Sequence, residues 1–155
     1  MTHTPKKIPF AEAKKKILRY CAYRERCHKE VKDKLYSMGL WKTEVEELIM
    51  LLMEEDFLNE ERYALSFARG YFRTKRWGKV KIKAHLRQNQ VHSKLIEKAM
   101  KEIDDAEYTA CIKHLVERKK EQLKAETKTK RKIKVSNYLV QRGFEYKDFK
   151  NYLVD

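Results

Sequence analysis

Basic side chains dominate the middle of the chain and recur there at helical spacing. From Arg62 to Ile96 the sequence holds ten Lys and Arg and no Asp or Glu. Guanidinium forks and ammonium groups in such rows can bind phosphate oxygens. The candidate binding residues are two stripes and the interleaved Lys81: Arg69, Arg73 and Arg76, then Lys79, Lys83 and Arg87. The stripes favour a surface that faces a polyanion or an acidic protein, with an ordinary solvated helix face as the alternative.

A second basic block and an acidic block show that charge is segregated along the sequence. Residues 111–142 contain eleven Lys and Arg against three Glu, whereas residues 30–61 contain ten Asp and Glu against three Lys. A net charge of +14 spread evenly over the surface would suggest only solubility. Segregation of the charge instead favours a cationic surface that faces a polyanion or an acidic protein. The candidate binding residues of the second basic block are Lys128, Lys130, Arg131, Lys132 and Lys134.

Trp77 is an aromatic residue that has no predicted position in the apolar core. Tyr71 and Phe72 fall at positions that match an earlier apolar helix face, whereas Trp77 stands beside Gly78 among the bases. Aromatic rings can stack on nucleobases. Trp77 is therefore a candidate exposed contact, with packing against the core as the alternative.

The sequence gives no support for catalysis or for a cofactor. The carboxylates at 54–56 stand at a junction where Asn59 is predicted to cap the next helix, which is a structural explanation for them. The sequence contains no Gly-rich phosphate loop, no Gly-x-Ser-x-Gly and no His-Glu-x-x-His. Cys27-His28 and Cys111-x-x-His114 each lack a second pair at zinc spacing. We predict no catalytic residues, no metal site and no bound cofactor.

These side chains must be positioned by a repeated helical unit. Six positions recur at offsets of 51 and 53 residues, beginning at Leu35, Leu86 and Leu139. Each set reads as helix, turn, helix, with Gly39, Gln90 and Gly143 at the left-handed position that ends the first helix. An amphipathic helix precedes each pair. In the third copy it is expected from about residue 104 to 122, with an apolar pattern at Ala106, Ala110, Cys111 and Leu115 that does not fix the register of the helix.

The predicted fold class is all-α, with three tandem three-helix repeats that form an elongated, curved body. The predicted limits are a flexible N-terminus at 1–10 and repeats at 11–58, 59–103 and 104–155. Only four Gly and two Pro interrupt the chain, which favours helices joined by short turns. No apolar stretch approaches the ~20 residues that span a bilayer, and no secretory signal is present. We expect a cytoplasmic monomer without membrane contact.

The chain resembles the RecX family of bacterial regulators of the RecA recombinase, from about Lys16 to the C-terminus. It departs from the family pattern at Cys27, Val31, Asn59, Glu60 and Gln90. The resemblance is carried by five motifs in order: Tyr20-Cys21-x-x-Arg24-x-Arg26; Glu30-x-x-x-x-Leu35-x-x-x-Gly39; Leu52-x-Glu54-Glu55-x-Phe57-Leu58-Asn59-Glu60-Glu61-Arg62-Tyr63-Ala64; Gly78-Lys79-x-Lys81-Ile82-x-x-x-Leu86; and Leu139-x-x-Arg142-Gly143-Phe144.

The resemblance implies a partner and an activity. The partner is the RecA filament assembled on single-stranded DNA, with direct DNA binding as a weaker activity. The activity is suppression of RecA's ATP hydrolysis, strand exchange and co-protease function in recombination, DNA repair and the SOS response. From the residues alone, two other functions stay open: a stand-alone nucleic-acid-binding module, and a helical-repeat adaptor for another protein.

Overall fold

The computed structural model describes residues 6–154, and all regular structure in that range is helical. Residues 1–5 of the predicted flexible N-terminus lie outside the described residues, and Ile8 donates its N–H to the carbonyl of Met38 at 3.0 Å. The helices are α1 Phe10–Tyr23, α2 His28–Ser37, α3 Lys42–Glu54, α4 Glu60–Lys75, α5 Lys79–Gln88, α6 Ser93–Lys101, α7 Asp105–Gln122, α8 Lys128–Gln141 and α9 Tyr146–Phe149, followed by a 3₁₀ turn Lys150–Tyr152.

The helices pack in three consecutive groups. The main helix–helix contacts join α1, α2 and α3, then α4, α5 and α6, then α7, α8 and α9. The first group has its own apolar core, whereas the second and third groups share one continuous core. The predicted all-α helical-repeat fold is confirmed. The limits of the three units and the flexible N-terminus remain predictions.

The turn after the first helix of each predicted pair has the expected left-handed residue. Gly39 has φ +80°, Gln90 has φ +59° and Gly143 has φ +98°. The N–H of Val91 donates to the carbonyl of Leu86 at 3.0 Å, and Phe144 donates to Leu139 at the same distance. These bonds span the last helical turn as a Schellman cap does. The predicted left-handed residue is therefore confirmed in all three turns, and the outer bond of the Schellman cap is present at Gln90 and Gly143. At Gly39, within the described residues, only the inner bond is present, from the N–H of Gly39 to the carbonyl of Tyr36 at 3.0 Å.

The third amphipathic helix is α7, with limits close to the expected ones, and the structure sets the register that its apolar pattern left open. The side chains that α7 buries are Tyr108, Ile112, Leu115 and Val116, while Ala106 and Ala110 are exposed. Tyr and Ile remove more apolar area from water than Ala does, so they determine which face of the helix packs inward.

The second and third groups meet backbone to backbone. The N–H of Gly78 donates to the carbonyl of Arg142 at 2.7 Å, and the N–H of Val80 donates to the carbonyl of Gly143 at 3.0 Å. A Cβ at Gly143 would lie 2.6 Å from the backbone N of Lys81, which is closer than real Cβ atoms approach a neighbouring atom. Only glycine permits this approach at position 143.

The first and second groups meet through polar contacts. Arg62 donates from Nε to Glu25 at 2.6 Å, and its Nη1 lies 3.1 Å from a carboxylate oxygen of Asp56. Asn59 caps α4 as predicted, because its Oδ1 accepts the N–H of Arg62 at 2.9 Å. Cys27 is the residue of the first group that enters the core of the second and third.

Cys27 also begins α2 by a reciprocal cap. Its Sγ accepts the N–H of Glu30 at 3.4 Å, and the Glu30 carboxylate accepts the N–H of Cys27 at 3.1 Å. Burial raises the pKa of Cys27 to about 11, and burial raises that of Cys21 to about 11 as well. Both thiols therefore keep their protons at neutral pH.

We expect Ellman's reagent at pH 8 to modify Cys21 and Cys27 of the native protein very slowly, because only about one thiol in a thousand is ionised three units below its pKa. The folded thiols hold their protons to higher pH than unfolded ones. Their contribution to the free energy of unfolding is therefore fully present below about pH 9 and is lost as the pH rises toward 11. A Cys111→Ala variant isolates the two buried thiols, and the urea-unfolded protein gives the reference rate. Equal rates before and after unfolding would contradict the burial.

Candidate cationic interface

The arginine stripe of α4 faces acidic residues that lie far away in the sequence. Arg69 Nη2 lies 3.8 Å from a carboxylate oxygen of Glu102, and Arg73 Nη2 lies 3.7 Å from one of Glu107. These pairs are exposed and long, so solvent screens them strongly. Carboxylates from outside the acid-free stretch therefore partly neutralise its positive charge in the folded protein. Because these ion pairs are weak, Arg69 and Arg73 keep much of their ability to bind another anion.

The basic residues of α5 differ in their surroundings. Lys79 Nζ lies 4.0 Å from Asp105 and 4.7 Å above the ring of Tyr108, and the backbone N–H of Lys79 donates to the Tyr108 hydroxyl at 2.9 Å. Lys83 and Arg87 have no carboxylate partner within residues 6–154, and Arg87 is exposed. Lys83 and Arg87 are therefore the α5 cations most available to a ligand, whereas Lys79 also joins α5 to α7.

Trp77 lies in a half-buried aromatic cluster. Its ring centroid is 4.4 Å from that of Tyr71, 4.7 Å from His85 and 6.4 Å from Phe67, and Lys81 Nζ lies 4.4 Å above the Trp77 ring. Packing accounts for much of its surface, and the Lys81 ammonium lies over the ring. Its role as a ligand contact stays a prediction.

The basic residues of α8 divide into free and structural side chains. Lys128, Lys130 and Lys132 are exposed and pair with no carboxylate in the part of the chain that the structure describes. Lys134 Nζ lies 2.6 Å from Glu126.

Arg131 has a structural position near the end of α7. Its guanidinium donates to the carbonyls of Leu123, Lys124 and Glu126, at 3.3, 3.4 and 2.9 Å. These carbonyls belong to the segment that follows α7, and the carbonyl of Leu123 also accepts the N–H of Glu126 at 3.0 Å. Arg131 therefore holds the connection between α7 and α8, whatever further contact it makes.

Sequence analysis missed three cations that the structure brings to Arg76. Arg118 and Lys119 of α7 and Arg142 after α8 line a concavity of about 240 Å³ together with Arg76. No Asp or Glu is among its lining residues. Both segments lie in the second basic block, so the charge count contained the signal. The sequence did not fix the register of α7, so it could not show that these side chains lie together with Arg76.

Groups that could perform other chemistry are not assembled in the described part of the chain. No cluster of three or more His, Cys, Asp or Glu there could hold a metal ion. Glu54, Glu55 and Asp56 are exposed, and Asp56 pairs with Arg62. Among residues 6–154, no helix combines the length and the apolar character needed to cross a membrane.

The family model and three curated relatives that match this chain all belong to one family. The family model "RecX, second three-helix domain" matches residues 59–100. "Regulatory protein RecX" of Streptococcus uberis is 29% identical over 139 residues, which cover 88% of this chain and 52% of that protein. The protein of the same name from Prosthecochloris aestuarii is 29% identical over 134 residues, which cover 86% of each chain. One from Clostridium perfringens is 30% identical over 145 residues, which cover 91% of this chain and 66% of that protein.

The solved structures agree. The crystal structure of RecX from Lactobacillus salivarius superposes with a TM-score of 0.82, at 25% sequence identity and 92% coverage of both chains. The chain spans about half the length of several curated relatives that it matches. Because 92% of this chain is superposed, the match extends over all three helix groups. The chain belongs to the RecX family.

Proposed function

We propose that this protein is a non-enzymatic regulator that binds RecA filaments on single-stranded DNA and inhibits RecA. The observation that carries the proposal is the RecX fold along the chain combined with a set of cations that lack acidic partners in residues 6–154. The inhibited activities would be ATP hydrolysis, strand exchange and co-protease function. Recombination, DNA repair and the SOS response are the processes that would be affected.

The mechanism is electrostatic docking along a repetitive partner. A body built from stacked helical groups offers one continuous surface, and such a surface suits a polymer whose protomers also repeat. Lys83 and Arg87 of α5 and Lys128, Lys130 and Lys132 of α8 would contact acidic protein surface or DNA phosphates of the filament. A protein held across neighbouring protomers would block addition of RecA or favour its loss.

We expect substoichiometric amounts of the protein to slow ATP hydrolysis by RecA on single-stranded DNA. One bound molecule would affect many protomers if it blocks growth of a filament, so the titration should reach half inhibition well below one molecule per RecA. The measurement is a coupled ATPase assay, and polylysine of matched total charge serves as the control for unspecific coating of DNA. Lack of inhibition at every ratio would contradict the proposal.

A second candidate function is a stand-alone nucleic-acid-binding module. The observation that favours it is the concavity lined by four cations and no carboxylate, which needs no RecA to bind an anion. This function requires submicromolar binding to DNA alone at physiological salt, with a steep salt dependence. Weak binding that RecA strengthens would instead favour the first proposal.

A further inference from the structure

The concavity between the second and third helix groups gathers positive charge from three separate segments. Arg76 follows α4, Arg118 and Lys119 lie on α7, and Arg142 follows α8. The remaining lining residues are Leu115, Gln122 and Tyr138, so the wall contains polar, apolar and aromatic groups but no acid. None of the four cations has an ion pair within the described residues. Like charges held this close repel one another, and a bound anion would remove that repulsion.

Two of the four cations are held in place by the same aromatic ring. Lys119 Nζ lies 4.7 Å from the centroid of Tyr138, and Arg142 Cζ lies 5.5 Å from it. The guanidinium of Arg142 also donates from Nε to the carbonyl of Arg76 at 3.3 Å and from Nη2 to that of Lys75. A cation fixed by such contacts loses less side-chain freedom when it binds a ligand.

Arg76 occupies a backbone conformation that glycine normally provides. It ends α4 with φ +54°, in the left-handed region that disfavours a residue with a Cβ.

Arg76, Lys119 and Arg142 are half-buried, so solvent screens their charge less than on an open helix face. The positive potential also reaches Cys111, where Arg76 and Arg142 act to lower a thiol pKa that burial raises.

We propose that the concavity lined by Arg76, Arg118, Lys119 and Arg142 binds backbone phosphate of single-stranded DNA. The choice of DNA as the source of the phosphate rests on the proposed function. A tetrahedral phosphate presents oxygens in several directions and so suits cations that converge from three segments, whereas a carboxylate is planar. A strand also supplies a second phosphate next to the first. Arg forks and a Lys point charge are the groups that bind such oxygens.

The test uses the full chain and fluorescein-labelled oligothymidylate, without RecA, over a series of salt concentrations. The test variant is Arg118→Gln/Lys119→Gln, which leaves the backbone contacts of Arg142 intact. For two lost phosphate contacts, the slope of log K against log salt should become shallower by about 1.4, and the affinity at 0.1 M salt should fall about 25-fold. The control is Lys15→Gln/Arg19→Gln, which removes the same charge from exposed residues of α1 that lack ion pairs in the described range.

Three outcomes would overturn the proposal. Equal losses in the two variants would mean that only net charge matters. No binding of oligothymidylate by the wild-type protein at 20 mM salt would mean that the concavity does not take DNA. Binding of poly-glutamate that is tighter than binding of DNA, and that disappears in the test variant, would identify an acidic protein segment as the ligand. Circular dichroism melts check that each variant folds. The RecA ATPase titration of the wild-type protein is a separate readout, so failure of the regulatory function is distinguishable from failure of this site.

Discussion

Replacement of Gly143 by alanine is expected to lower the free energy of unfolding by about 3 kcal/mol, as the sum of a left-handed backbone penalty and an overpacking penalty. Gly143 has φ +98°, and an added Cβ would meet the backbone N of Lys81 at 2.6 Å. Since that atom belongs to α5, relief requires the second and third helix groups to move apart. Equilibrium denaturation in urea measures the change.

Gly70→Ala is the matched control for Gly143→Ala. Gly70 lies within α4, and no heavy atom outside its own helix turn approaches a Cβ built there within 4 Å. Alanine should therefore raise the free energy of unfolding by about 0.5–1 kcal/mol, through the better helix propensity of alanine alone. Similar effects of the two substitutions would contradict the close backbone approach of the helix groups.

Reversal of two charges on α5, Lys83→Glu/Arg87→Glu, is expected to weaken inhibition of RecA about tenfold or more, since like charges across an interface cost several kcal/mol. Lys83 and Arg87 are chosen because neither pairs with a carboxylate in residues 6–154. Lys79 is left unchanged because its contacts with Asp105 and Tyr108 join α5 to α7. The ATPase titration measures the shift in the concentration that gives half inhibition.

The control for this charge reversal is Lys15→Glu/Arg19→Glu. These residues have the same i, i+4 spacing as Lys83 and Arg87, are exposed on α1, and have no carboxylate partner in the described residues. The control therefore changes net charge by the same amount at a different place. Equal losses of inhibition for the two variants would show that only net charge matters and that α5 does not contact the partner specifically. Thermal melts of both variants separate loss of binding from loss of fold.

The fold could be predicted because its determinants are local in the sequence. Val31 and Leu35 on α2 match Ile82 and Leu86 on α5, and all four are fully buried. The left-handed turn at Gln90 followed from its alignment with Gly39 and Gly143, although Gln itself gives no such signal. The register of α7 could not be predicted because its apolar residues form two overlapping patterns, and side-chain size decided between them.

The candidate site was less predictable because its electrostatics depend on distant residues. Counting from Arg62 to Ile96 found no acid, yet Glu102 and Glu107 lie close to Arg69 and Arg73 in the fold. No pattern within one stretch could have joined Arg76 to residues 42 and 66 positions further along. Tertiary packing alone decides which cations lack partners.

The residues that carry the family resemblance have structural functions in this protein. Asn59 caps α4, and Arg62 joins Glu25 across the first junction. Gly78 and Gly143 allow the second and third groups to touch. Arg26 is buried, with its guanidinium 3.6 Å from the ring centroid of Tyr20. The motifs therefore identify a way of joining helices, and the candidate binding cations lie mostly outside them.

The division of the apolar interior has a consequence for the energy landscape of the molecule. Helices α1–α3 enclose one core, and α4–α9 enclose another. The junction between them holds the buried Cys27 and ion pairs such as Arg62 with Glu25, and exposed ion pairs contribute little to stability in water. We therefore expect the first three helices to open at a lower free-energy cost than α4–α9 in native-state hydrogen exchange. For the proposed docking on a filament, such a segment would let one end of the molecule change shape while the other helices stay folded.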